Sequence, residues 1–171
     1  MDKKQPAKSK PFFSFLLKCT SVLPAVFMMC VIFGFSAQTG DVSGDLSYKI
    51  SYQIVQTGSR ILHQTMDEEQ LDEQAQKLEY PLRKCAHMTE YFLLALTTVL
   101  PLYVWGVRGN RLCFTAFFLC VLFACGDEFH QSFVSDRSPA VRDVLIDSIG
   151  SALSLLAVRL FTALRNRRRR G

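Results

Sequence analysis

Three short stretches place acids, imidazoles and cations at spacings that could do chemistry. Arg83, His87 and Glu90 fall on one helical face, with Lys84 beside the first of them. Asp127, Glu128, His130 and Gln131 lie within five residues, with Asp127, His130 and Gln131 on a common side. Arg137 follows, then Arg142, Asp143 and, one turn on, Asp147, whose side continues as Gly150, Ser151 and Ser154. Two chemistries suit these sets. Arg83, Lys84, Arg137 and Arg142 match the phosphate or carboxylate of an amphiphile whose tail runs down between helices. Alternatively, Glu90, Glu128, Asp143 and Asp147 with His87 and His130 match a divalent metal ion that activates water, with Glu128 or Glu90 as general base. His-x-x-Glu at 87 to 90 and Glu-x-His at 128 to 130 are individually weak patterns. A third reading has the charges pair off only to fix helix register.

The elements that carry these groups are apolar. The chain has 171 residues, 49% of them hydrophobic and 20% charged, and the apolar ones fall into four dense blocks with the charges between and beyond them. Such patterning excludes a disordered chain, a collagen and a disulfide-stapled miniprotein, and argues against a compact soluble domain. The expected fold is all-α: an integral membrane four-helix bundle with an amphipathic helical external loop. Spans are expected at about 19–38, 85–107, 112–130 and 144–164, each long enough for a hydrocarbon core of about 30 Å. The third has only 15 uncharged residues, about 22 Å of helix, so it must continue through Asp127, Glu128 and His130. Phe35 is too large for the small-residue position two before Ala37, so the first block reads as a retained anchor rather than a cleaved leader. The six cysteines form no CxxC pair or Cys-His ligand spacing and read as apolar fillers.

Cation counts orient the bundle. Lys3, Lys4, Lys8, Lys10, Lys18, Arg108, Arg111, Arg159, Arg165 and the Arg167 to Arg170 run fall on one side, against Lys49, Arg60, Lys77, Arg83, Lys84, Arg137 and Arg142 on the other. Both termini, the basic 1–18 segment and the 165–171 tail, are therefore expected in the cytoplasm of a multi-pass cell-membrane protein. The terminal arginines read as a topology anchor on anionic lipid rather than a nucleic-acid site, because no aromatic or glycine residues interleave them. In the external loop, Ile50, Ile54, Ile61 and Leu62 recur at helical spacing, and Thr65 with Glu68 predicts a capping box for a second short helix whose Leu71, Ala75 and Leu78 share a face. Asp67, Glu68, Glu69, Asp72 and Glu73 read as a solvated face.

An ionised group at the centre of a lipid-facing helix costs about 2.5–3.5 kcal/mol on insertion scales. Glu90 sits roughly 8 to 9 Å inside the outer end of its span, and two more helices carry acids at the same depth. These groups are expected to face one another in a polar pocket in the outer half of the bundle.

The stretches Phe33-Gly-Phe-Ser-Ala-Gln-Thr-Gly-Asp-Val-Ser43, Arg83-Lys-Cys-Ala-His-Met-Thr-Glu-Tyr-Phe92, Asp127-Glu-Phe-His-Gln-Ser-Phe133, Arg137 and Arg142-Asp-Val-Leu-Ile-Asp-Ser-Ile-Gly150 together resemble the VanZ-like family over about residues 30 to 155. That family is named for an accessory membrane protein of glycopeptide-resistance clusters, associated with teicoplanin resistance. The resemblance marks Ser36, Gln38, Ser43, Lys84, His87, Glu90, Tyr91, Asp127, Glu128, His130, Gln131, Arg137, Asp143, Asp147 and Gly150. The resemblance, taken with the basic and acidic pocket, leads to the expectation of a bacterial cell-envelope protein that engages an anionic outer-leaflet lipid or a lipid-linked wall precursor; a metal-assisted enzyme acting on such a lipid and a non-catalytic interaction subunit are the alternatives. Two departures stand out. Ser135-Asp136 replaces a frequent Pro-Gly turn, and Ser154 stands where a second glycine often follows the aspartate motif.

Overall fold

The computed structural model describes residues 11–169, all of them in helices or the short turns joining them. Lys3, Lys4, Lys8, Lys10 and Arg170 of the basic termini lie outside the described residues. Five helices follow one another: α1 (Pro11–Ser36), α2 (Gly40–Ile61), α3 (Glu68–Val104), α4 (Gly109–Gln131) and α5 (Val141–Arg168). Four of them, α1, α3, α4 and α5, are long and apolar enough to cross a membrane. Their outward faces carry bare Phe, Leu and Ile side chains, among them Phe27, Phe114, Phe118, Leu156 and Phe161. So much continuous apolar surface belongs against lipid, not water.

The helix α3 packs on each of the other four. Its apolar half meets α1, α4 and α5 in a core of Ile32, Tyr91, Leu94, Ala95, Ala116, Cys120, Ala124 and Leu155. Small residues set that packing, because in lipid helices associate through close backbone approach rather than through hydrophobic expulsion. Ala116, Cys120 and Ala124 recur every fourth residue on α4, and Gly150, Ser151 and Ser154 line the facing side of α5. Gly150 is obligatory in this sense: a Cβ there would run into the backbone carbonyl of Met88 on α3.

Two expectations are corrected. The external loop contains no separate second short helix, since Leu71 and Ala75 belong to α3, which runs unbroken for 37 residues through Pro81 into the second span. Its capping box is formed by Asp67 and Gln70, not by Thr65 and Glu68: the Asp67 carboxylate accepts from the Gln70 N–H at 2.8 Å, and the Gln70 side chain accepts from the Asp67 N–H at 3.2 Å. The expected amphipathic stretch is α2, which folds back along the polar half of α3, buries Ser51 and Ser59, and leaves Val42, Leu46, Ile50, Ile54 and Ile61 exposed. The helices also exceed the predicted spans, with α1 starting at Pro11 and α5 running from Val141 to Arg168.

The two ends of the bundle differ. At the terminal end, Trp105 Nε1 donates to the Lys18 carbonyl at 3.5 Å, Arg108 stacks on Tyr103 and Arg159 donates to Asn110 at 2.9 Å. Exposed Tyr103 and Trp105 make the aromatic belt expected of a membrane interface. The acids and imidazoles gather at the other end.

Candidate functional site

The site begins where α1 stops. Ser36, in its last turn, is fully buried, and its Oγ donates to Asp127 Oδ2 on α4 at 2.6 Å. Gln131, one turn beyond Asp127 on the same face, donates from Nε2 to both Asp127 Oδ2 (3.1 Å) and Ser36 Oγ (3.2 Å). Three residues expected at the site thus form one closed polar triad that ties α1 to α4.

The 132–140 loop locks over this triad. Gly40 donates its N–H to the Ser135 carbonyl at 3.1 Å, and any side chain at Gly40 would meet the Asp136 backbone carbonyl. Asp136 takes the left-handed conformation (φ 58°), which a glycine adopts without strain and which Asp tolerates better than most residues. Asp136 thus stands in a conformation that the glycine of a Pro-Gly turn would also adopt. Arg137 reaches from the loop to the open carbonyl end of α1, with Nε on Gln38 O at 3.2 Å and Nη2 on Phe35 O at 3.4 Å. Burial, then the like charge of Arg83, holds its pKa below the ordinary arginine value; the guanidinium is still a cation at any physiological pH.

Helix α5 begins against the same loop. Ala140 offers no side-chain cap, and Glu128 of α4 supplies one from outside, its Oε1 accepting the Ala140 N–H at 2.6 Å. Lys84 of α3 reaches Asp143 in the first turn of α5 at 2.7 Å, and Asp147 is buried one turn deeper. On α3, His87 Nδ1 lies 3.4 Å from Glu90 Oε2, and Arg83 pairs with Glu79. Glu79 and Tyr80 were not anticipated from sequence. Tyr80 is flanked by two cations, Lys84 Nζ at 5.3 Å and Arg142 at 5.6 Å from the ring centre.

These groups enclose two cavities. The first, about 340 Å³, is lined by Tyr80, Arg83, Lys84, His87, Glu128, Gln131, Arg137, Arg142, Asp143 and Asp147 among others. Its size falls within the range of small-molecule sites, about 300–1,000 Å³. The second, about 230 Å³, lies between the end of α1, the start of α2 and α3, and shares Arg83, His87 and Arg137 with the first. Gln38, Ser43 and Glu90 line the second only.

Four expected site residues line neither cavity: Ser36 and Asp127, which are spent in the triad, and Tyr91 and His130. Tyr91 is fully buried in the core beside Phe123 (ring centres 6.2 Å), with its hydroxyl unpartnered. His130 turns its ring to Phe33, 4.2 Å away, and its Nδ1 has no partner. The two histidines therefore do not converge, and among the described residues no three His, Cys, Asp or Glu groups are placed to hold a metal ion. The side chains present thus do not fit the metal-assisted arrangement. They suit two other tasks: cations and helix-end N–H groups that hold an anion, and a His87–Glu90 pair that can move a proton at the junction of the two cavities.

Four crossing helices, a core of small residues and a polar chamber at one end define a multi-pass membrane protein with a built internal site. The VanZ/LLP1 family model matches residues 21–162, and the chain belongs to that family. No match was found among curated proteins or solved structures.

Proposed function

We propose that this VanZ/LLP1 protein is a bacterial cell-envelope protein that takes the anionic headgroup of an outer-leaflet lipid, or of a lipid-linked wall precursor, into the larger cavity. One observation carries this reading. Arg83, Lys84, Arg137 and Arg142 from three separate segments line a single cavity, and among the described residues Arg137 and Arg142 have no carboxylate partner. Guanidinium groups held in a desolvated site bind phosphate or carboxylate through charge-assisted hydrogen bonds. The α5 N-terminus, at Ala140, borders the same space and favours negative charge.

Orientation supports the same reading. Lys18, Arg108, Arg111, Arg159, Arg165, Arg167, Arg168 and Arg169 cluster at the opposite end, which under the positive-inside rule supports cytoplasmic termini and a cavity at the outer leaflet.

The test is lipid binding by purified protein in nanodiscs, comparing an anionic with a neutral lipid and wild type with Arg142→Ala, which leaves the Arg137 clamp in place. Wild type is expected to prefer the anionic lipid, and the variant to bind it at least tenfold more weakly, since a charge-assisted bond contributes about 1.5–3 kcal/mol. Equal binding of both lipids by wild type overturns the reading.

A further inference from the structure

The smaller cavity complements the larger in polarity. Phe35, Leu46, Ile50, Leu82 and Ala86 wall it, and the shared Arg83 and Arg137 stand at its junction with the polar space. Its only acid is Glu90, which faces His87 at 3.4 Å and so has an opposing group beside it. Phe35, Leu46 and Ile50 are each 42–46% exposed, so the apolar wall opens sideways between α1 and α2 rather than being sealed within the bundle.

We propose that this second cavity holds one alkyl chain of the amphiphile whose acidic head lies among Arg83, Lys84, Arg137 and Arg142. The inference rests on the headgroup reading above. It places the chain between α2 and α3 beside the end of α1, not among the four crossing helices. Continuity is the first support: the lining changes from polar to apolar at Arg83 and Arg137, which is where an alkyl phosphate changes character. Charge is the second. A further apolar groove, about 390 Å³ between Phe33, Leu119, Leu122 and Phe123, has Asp127 as its only ionisable neighbour and touches none of the four cations. An anionic head meets two arginines at the junction and no cation in the Asp127 groove.

Burying a methylene strengthens binding about fourfold, so chain length is a direct probe. An octyl phosphate carrying a diazirine at the chain end is photolysed with the full-length protein in neutral-lipid nanodiscs, with unlabelled octyl phosphate or inorganic phosphate as competitor. Labelled sites are mapped by mass spectrometry. Competed label is expected around Leu46 and Ile50 of α2 and Leu82 and Ala86 of α3. Ile50→Gln, at an exposed position, is expected to flatten the rise of affinity from butyl to octyl phosphate while leaving inorganic phosphate competition unchanged. Competed label on Leu119 or Phe123 instead overturns the chain assignment and leaves the headgroup site standing. If no label is competed by phosphate, the headgroup reading falls with it.

Discussion

Ser36 and Asp127, 91 residues apart in the chain, are joined by a 2.6 Å hydrogen bond in which the serine hydroxyl donates to the buried carboxylate. Helix α1 contributes little else that is polar to the site end, so this bond, with Gln131 behind it, fixes where α1 stops against α4. Ser36→Ala leaves a buried acceptor short of a donor, at a cost of about 1–3 kcal/mol. Thermal unfolding of the detergent-solubilised variant should show a lower midpoint. Asp127→Asn in the same background should give a non-additive double-mutant cycle, and strict additivity would show that the pair is not coupled.

Glu128 separates a structural from a catalytic role. Its Oε1 caps α5 through the Ala140 N–H, a task that an amide oxygen also performs. Glu128→Gln is expected to keep nearly full stability, whereas Glu128→Ala should lose about 1 kcal/mol, the usual magnitude for a missing helix cap. Were Glu128 a general base, Gln would abolish turnover in a protein that unfolds like wild type.

The approach of α5 to α3 depends on a missing side chain. Gly150→Ala puts a Cβ against the Met88 carbonyl, and because the obstacle is backbone no rotamer change relieves it. Overpacking of this kind costs about 1–3 kcal/mol. The expected result is poor yield or early unfolding that Met88→Ala does not rescue; a rescue by Met88→Ala would mean that the side chain sets the distance.

The hairpin of α2 and α3 should respond to alkali. The Tyr48 hydroxyl donates to Asp72, and that bond, followed by burial and the Asp72 charge, raises the tyrosine pKa above its ordinary value of 10.0. A group whose folded pKa is raised contributes stability that is fully present below the unfolded value and is lost as pH rises through the folded one. The protection of α2 amides, taken relative to their base-catalysed intrinsic exchange rates, should therefore fall in a step above about pH 10. Tyr48→Phe should show no step in that range, and an identical step in the variant would assign it elsewhere.

The four crossing helices were legible because nothing else explains such apolar blocks, and the chamber was legible because Glu90, Asp127 and Asp147 are too costly to face lipid. What escaped depended on rotation and on where the chain turns. His130 shares a broad side with Asp127, yet three residues of helix rotate it by about 60° from that direction, enough to bring it to Phe33. Tyr91, one residue past Glu90, points into the core instead of the cavity for the same reason. Thr65 and Asp67 both begin a plausible capping pattern; the choice falls to Asp67 because residues 64–67 are spent on the turn after His63, which takes a positive φ of 53°. Glu79 and Tyr80 were hidden because the stretch before Arg83 read as external loop, whereas α3 carries Tyr80 into the chamber wall and sets Glu79 against Arg83.

The unbroken run of α3 also sets a height. At 1.5 Å per residue its 37 residues make a rod of about 55 Å, against a hydrocarbon layer of about 30 Å. Glu68, Glu69, Asp72 and Glu73 forbid sinking the surplus into acyl chains, so about 25 Å of helix, paired with α2, is left for the headgroup layer and the water beyond it. The exposed row Ile61, Ile54, Ile50 and Leu46 runs the length of that surplus and ends at the smaller cavity, so its far end carries apolar surface well outside the acyl layer.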